Sequence, residues 1–139
     1  MRTLLDLQLG RDLMRDSGLS EPDYDVLSNL SEAPGQRMRL SELAAWMLWS
    51  KSRLSHHITR MQQRGLVDRE ECPGDARGSV LVLTVAGLAA IKEAAPLHVA
   101  SVRRHLIDQI SPDELAALDA LSHRVAERLA THAPATDGP

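Results

Sequence analysis

The chain has 139 residues, 43% of them hydrophobic and 25% charged, and its formal net charge is −3. This length fits one globular domain, and a core that lacks Phe must be built largely from aliphatic side chains, which favours helices. No apolar run approaches the ~20 residues of a membrane-spanning helix, the first residues lack the order of a signal peptide, and the single cysteine, Cys72, excludes an intramolecular disulfide. The composition therefore predicts a cytoplasmic, mainly helical protein without a membrane role.

Basic residues are concentrated in one part of the chain. Residues 35–64 contain six Lys or Arg and a single acid, a net charge of +5, so the rest of the chain sums to −8. Such a stretch is either a solvated helix face or a surface for a polyanion such as nucleic acid. Charge alone leaves both interpretations open.

Two helices are predicted at the start of the chain. Leucines recur at every fourth position from 5 to 13, which is typical of an amphipathic helix, and Gly18 supplies its end. Ser20 is a suitable N-cap for a second helix, which stops before Pro34.

The basic stretch contains a predicted helix-turn-helix. A short helix from about Leu40 to Leu48 is joined by a tight turn around Trp49 to a helix that Ser50 caps and Gly65 ends. The apolar positions of this second helix are Leu54, Ile58 and Met61. Their spacing predicts that they face the core and leave the basic side chains outside.

A β-hairpin and two further helices are predicted next. Residues 66–67 and 79–83 are short apolar or β-branched runs on either side of a Pro/Gly-rich cluster, which indicates a two-stranded hairpin. Thr84 can cap a long helix that Pro96 should bend or interrupt. Ser111 opens a last helix with a capping box, and residues 133–139 are predicted to be disordered.

This order of elements is that of a winged helix-turn-helix, whose second helix lies in the major groove of DNA. The fold class is therefore mainly α with a small β-hairpin wing. Donor-rich side chains around the basic helix suit phosphates and base edges, and the free amides at its N-terminus attract phosphate. The candidate DNA-binding residues are Arg39, Ser50, Lys51, Ser52, Arg53, Ser55, His56, Thr59 and Arg60.

The chain resembles the MarR family of dimeric bacterial transcriptional regulators over roughly residues 4–130. The order and spacing of several short motifs carry the resemblance. They are Ser17-Gly18-Leu19-Ser20, Tyr24-Asp25-Val26-Leu27, Leu40-Ser41-Glu42-Leu43-Ala44, Ser50-Lys51-Ser52-Arg53-Leu54-Ser55, Arg60-Met61, Gly65-Leu66-Val67-Asp68-Arg69, Pro73-Gly74-Asp75-Ala76-Arg77-Gly78 and Leu83-Thr84-Val85-Ala86-Gly87. The resemblance implies a helical dimer with one winged domain per subunit that binds an inverted-repeat operator and often releases it on small-molecule or oxidative signals. The leading interpretation is a sequence-specific DNA-binding regulator that acts as a repressor.

The resemblance also implies roles for individual residues. Arg77, at the hairpin tip, would reach into the minor groove, and Asp75 would orient the wing. Apart from the resemblance, Met14, Tyr24 and Trp46 are candidates for an effector pocket, although apolar residues on helices are more often plain core.

The leucine stripes at both ends of the chain need a partner, which favours a homodimer. The expected division is a dimerisation region at 1–19 and 96–132 around a DNA-binding region at 20–95.

Other functions were weighed against this one. A winged helix can also bind an acidic protein partner, and Cys72 in the wing is either a structural thiol or a redox sensor. His57 is either a DNA contact or a hydrogen-bonded edge residue. His98 and His105 are two turns apart without further ligands nearby, so we predict no metal site and no cofactor. The sequence has no recognisable nucleophile-base pair or phosphate-binding glycine loop, which argues against an enzyme.

Overall fold

The computed structural model describes residues 2–71 and 78–131. In these ranges the helices are α1 (Arg2–Ser17), α2 (Glu21–Glu32), α3 (Leu40–Met47), α4 (Lys51–Gln63), α5 (Val85–His105) and α6 (Pro112–Thr131). The strands are β1 (Arg37–Arg39), β2 (Val67–Glu71) and β3 (Ser79–Leu83), and two 3-10 turns lie at Pro34–Gln36 and Ile107–Gln109. The predicted class, mainly α with a small β wing, is confirmed.

Local caps begin the helices where the sequence predicts them. Ser20 Oγ accepts from the Asp23 N–H at 3.2 Å, and the Asp23 carboxylate accepts from the Ser20 N–H at 3.0 Å, which completes a capping box. Ser50 Oγ accepts from the Arg53 N–H at 3.1 Å, and Thr84 Oγ1 accepts from the Gly87 N–H at 2.9 Å. Each such cap stabilises a helix by ~1 kcal/mol.

The sheet has one more strand than the sequence predicts. β2 and β3 form the expected antiparallel hairpin, with Val67 opposite Leu83, and β1 pairs with the other edge of β3, giving the order β1-β3-β2. A strand of three residues is too short for its alternation to be read from sequence. β1 forms because it satisfies backbone groups on an otherwise open edge of β3.

The core of the first unit lies between α2, α3, α4 and the sheet. It consists of aliphatic side chains, among which Leu27, Leu54 and Leu81 have no exposed surface, and α5 adds Ile91 and Ala94. The first turn of α5 lies against the residues that precede β2, because a Cβ on Gly87 would come within 2.1 Å of the Leu66 carbonyl oxygen.

Helix α5 differs from the sequence prediction in two respects. It continues through Pro96, so of the two predicted effects, a bend or an interruption, the interruption does not occur. Buried residues on both sides, Ala94 and Ser101, hold the helix in the fold. The segment Val85–Gln109 is also long and apolar enough, by length and composition, to cross a bilayer, although the sequence had suggested no such run. The core helix of a soluble protein meets the same criterion.

The chain divides between Ser101 and Val102 into two compact units. In the second unit Ser111 Oγ accepts from the Glu114 N–H at 3.2 Å, and the Glu114 carboxylate accepts from the Ser111 N–H at 2.9 Å, which confirms the predicted capping box. The apolar stripe of α6 is 41–67% exposed and consists of Leu115, Leu118, Leu121, Val125 and Leu129.

Candidate nucleic-acid interface

Helix α4 has one buried face and one polar face. Leu54, Ile58 and Met61 have no exposed surface, which confirms the predicted orientation of the helix, and His57 is buried beside them. The exposed side chains are mostly basic or hydrogen-bonding, and they include Lys51, Ser52, Arg53, His56, Thr59 and Arg60. The helix therefore presents donors to the solvent over most of its length.

A cleft of about 340 Å³ is lined by five of the eleven predicted DNA-binding residues. Its lining comes from the junction of β1 and α3, the first two turns of α4 and the start of β3 with the residue before it. The lining residues are Arg39, Leu40, Ser41, Lys51, Ser52, Ser55, His56, Gly78 and Ser79. The first turn of α4 has backbone amides without intrahelical partners, and these carry the positive end of the helix dipole. Together with Arg39 and Lys51 they make the cleft suited to a phosphate.

Two of the predicted DNA-binding residues, Ser55 and Thr59, accept hydrogen bonds from Arg69 that position the hairpin against α4. Arg69 Nη1 donates to Ser55 Oγ at 3.0 Å, and Arg69 Nη2 donates to the Ser55 carbonyl at 2.9 Å and to Thr59 Oγ1 at 3.5 Å. Sequence reasoning missed Arg69. The signal was its place two residues after buried Val67, which puts both side chains on the same face of β2.

A buried carboxylate ties α4 to the start of α2. Asp23 is 4% exposed, and its Oδ2 accepts from Arg64 Nη1 at 2.7 Å while its Oδ1 lies 2.9 Å from His57 Nε2. Burial alone would raise the pKa of Asp23, but hydrogen bonds from His57, the Ser20 N–H and Arg64 outweigh it and hold that pKa well below its usual range. His57 is 7% exposed and its ring contacts Asp23, so it lies on the core side of α4 and not on the polar face.

His57 lies at the centre of a second set of contacts on α4. Arg60 Nη2 lies 3.2 Å from His57 Nδ1, and because a guanidinium can only donate, the ring proton belongs on Nε2, which faces Asp23. The Trp49 ring meets the His57 ring at 5.7 Å between centroids and at 82°. The Arg53 guanidinium carbon lies 3.7 Å from the centroid of the Trp49 ring. Arg53 and Arg60 do not line the cleft at the start of α4.

The three candidate effector residues are not brought together. Met14 is 52% exposed in a groove of about 740 Å³ between α1 and α2, and Tyr24 lines a smaller cavity of about 130 Å³ with His98. Trp46 lies on α3, 67% exposed and outside both. The Tyr24 and His98 rings are 4.5 Å apart, and burial raises the pKa of Tyr24 and of Asp25 in the same cavity.

Three predictions lie outside the described residues. They concern Cys72 as a thiol in the wing, Asp75 and Arg77 at the hairpin tip, and the tail at 133–139. Among the residues at 2–71 and 78–131, no group of three or more His, Cys, Asp or Glu is placed to hold a metal ion.

A family model, related sequences and solved structures all match this chain to transcriptional regulators. The MarR family model matches residues 17–78. The transcriptional regulator HosA of Escherichia coli O111:H- is 32% identical over 97 residues, which are 69% of this chain and 69% of HosA.

Two solved structures from Streptomyces coelicolor are similar over nearly the whole chain. The MarR family regulator AbsC is 49% identical, with a TM-score of 0.85 over 94% of this chain and 88% of AbsC. The MarR family regulator Sco3205, solved in complex with DNA, is 38% identical, with a TM-score of 0.87 over 99% of this chain and 85% of Sco3205. The chain belongs to the MarR family of transcriptional regulators.

Proposed function

We propose that the chain is a sequence-specific repressor that binds an inverted-repeat operator in double-stranded DNA and is released by a small-molecule effector. The observation that carries the proposal is the basic face of α4, whose opposite face is anchored in the core by Leu54, Ile58 and Met61. A helix held in this way presents its polar side chains in a fixed geometry, as a major-groove reader requires. The DNA complex of Sco3205 supports the assignment. Such a regulator works in the cytoplasm, where its operator lies.

Within this function the predicted residues take different roles. Lys51 and Arg39 at the cleft would contact phosphates, together with Ser52 and the first-turn amides of α4. Arg53 and Arg60 lie further round the helix and would reach base edges. Arg77 would reach into the minor groove, and Asp75 would orient the wing.

The acting form is proposed to be a homodimer. The exposed stripe of α6 has the spacing of a helical interface, and α1 exposes Leu4 and Leu7, at 73% and 52%. A two-fold symmetric protein also matches the symmetry of an inverted repeat. The regions at 1–19 and 96–132 would make this interface, and 20–95 would read DNA.

An effector would bind in the groove between α1 and α2. Its lining includes the apolar Leu7, Met14 and Pro22 and the charged Arg11 and Glu21. A ligand with an apolar body and one polar or charged group fits such a surface.

The test begins with selection of bound sequences from a random DNA pool. The selected operator should be bound at least ~10³-fold more tightly than unrelated DNA of the same length, and the affinity should fall with salt. Binding that does not discriminate between the two DNAs would favour the alternative, a module for an acidic protein partner.

A matched pair of lysine variants locates the interface. The chain has two lysines, Lys51 in the cleft and Lys92 exposed on α5. Lys51→Ala should weaken binding for all sequences and lower the salt slope by ~1. Lys92→Ala should leave both unchanged. Equal effects of the two substitutions would contradict the placement of the phosphate contact.

A further inference from the structure

Trp49 lies in the turn of the helix-turn-helix, and contacts fix both its backbone and its ring. Leu48 ends α3 in the left-handed conformation at φ 58°, and the Trp49 N–H donates to the Ala44 carbonyl at 2.9 Å. The ring packs at 82° against His57, which is buried and faces the Asp23 carboxylate. The indole is therefore a rigid platform at the N-terminus of α4.

Arg53 lies on that platform. Its guanidinium carbon is 3.7 Å from the ring centroid, a distance at which the ring quadrupole attracts the cation. Arginine stacks on aromatic rings through the flat face of its guanidinium, and that mode of contact uses none of the N–H donors. The residue remains exposed, so the donors at its edge stay available to another molecule.

We propose that Trp49 is a positioning residue that holds the Arg53 guanidinium for bidentate donation to a guanine of the operator. This inference rests on the proposed function, since it assigns how one arginine reads DNA. Two parallel N–H groups on guanine O6 and N7 form the commonest base-specific contact of arginine. An arginine already restricted to one orientation loses less side-chain entropy on making that contact, so the platform strengthens binding without touching DNA.

A double-mutant cycle separates this role from a structural one. Four proteins are compared on the selected operator: the parent, Trp49→Leu, Arg53→Ala and the double variant. Trp49→Leu should weaken binding about three- to tenfold in the parent, from the lost stacking and the added ordering cost, but less than about twofold in the Arg53→Ala background. Equal weakening in both backgrounds would overturn the proposal.

The base preference at each operator position is a second measurement, and a general loss of protein stability would not change it. Each operator position is varied in turn, and the position that Arg53→Ala makes tolerant should be the same position that Trp49→Leu makes more tolerant. Trp49→Phe keeps an aromatic face and should stay closer to the parent than Trp49→Leu. Relaxation at other positions instead would contradict a link to Arg53.

Fluorescence tests the contact without changing Trp49 and without DNA. Trp46→Phe leaves Trp49 as the sole indole. In that background Arg53→Ala should shift the emission to longer wavelength and increase quenching by acrylamide, whereas Lys51→Ala, which alters the cleft, should change neither. An unchanged emission in Arg53→Ala would refute the platform even if Trp49→Leu does not fold. If the parent fails to select an operator, the proposed function fails, and this measurement still decides the contact.

Discussion

Removing the Asp23 carboxylate should destabilise the protein far more than removing a partly exposed carboxylate. The substitution Asp23→Ala takes away the acceptor of three groups: the Ser20 N–H, His57 Nε2 and the Arg64 guanidinium. The loss of unfolding free energy comes from the Ser20 N–H and His57. The Arg64 side chain is 43% exposed and can turn to water instead.

The magnitude follows from what each group loses. The Ser20 N–H loses half of a capping box, which costs ~1 kcal/mol. The ring nitrogen of His57, in a residue 7% exposed, is left buried without its acceptor, which costs ~1–3 kcal/mol. The free energy of unfolding should therefore fall by about 3 kcal/mol, the sum of these two losses.

The assay is urea unfolding followed by circular dichroism, with all proteins at one protomer concentration because dimerisation would add to the apparent stability. Asp16→Ala is the matched control, since Asp16 pairs with the exposed Arg15 at 2.8 Å and its loss should cost under ~1 kcal/mol. If the two variants lose the same free energy of unfolding, the Asp23 contacts do not hold α2 and α4 together.

Three further predictions test other parts of the fold. Because folding lowers the pKa of Asp23, the contribution of this carboxylate to stability is present above its ordinary pKa of 3.8 and is lost as the pH falls towards the lowered pKa. The difference in unfolding free energy between the parent and Asp23→Asn should therefore shrink between about pH 5 and pH 2. Gly87→Ala should lower the unfolding free energy by ~1–3 kcal/mol, since its Cβ would lie 2.1 Å from the Leu66 carbonyl oxygen. Gly10→Ala, whose Cβ would find its nearest neighbour at 3.5 Å, should be neutral or stabilising, and a similar loss in both would refute the close approach. Ser50→Ala should cost ~1 kcal/mol through the lost N-cap of α4, as thermal unfolding would show, and an unchanged melting temperature would contradict the cap.

The sequence by itself determined the helices, their starts and the orientation of α4. The caps at Ser20, Ser50 and Ser111 join groups three residues apart, so spacing alone identifies them. The stripe of Leu54, Ile58 and Met61 likewise repeats at the helical period, and only one side of a helix can face a core.

The tertiary structure decided which polar groups meet. Asp23 and Arg64 are 41 residues apart, and Arg69 reaches Ser55 across 14, so no local spacing selects these partners among the many charged residues of the chain. Sequence spacing also does not distinguish the surroundings of the two tryptophans. Both stand near the turn, but Trp46 is 67% exposed on α3, whereas Trp49 packs against Arg53 and His57. Periodicity fixes which side of an element faces inward, whereas long-range pairings depend on how whole elements pack, and packing is a property of the assembled fold.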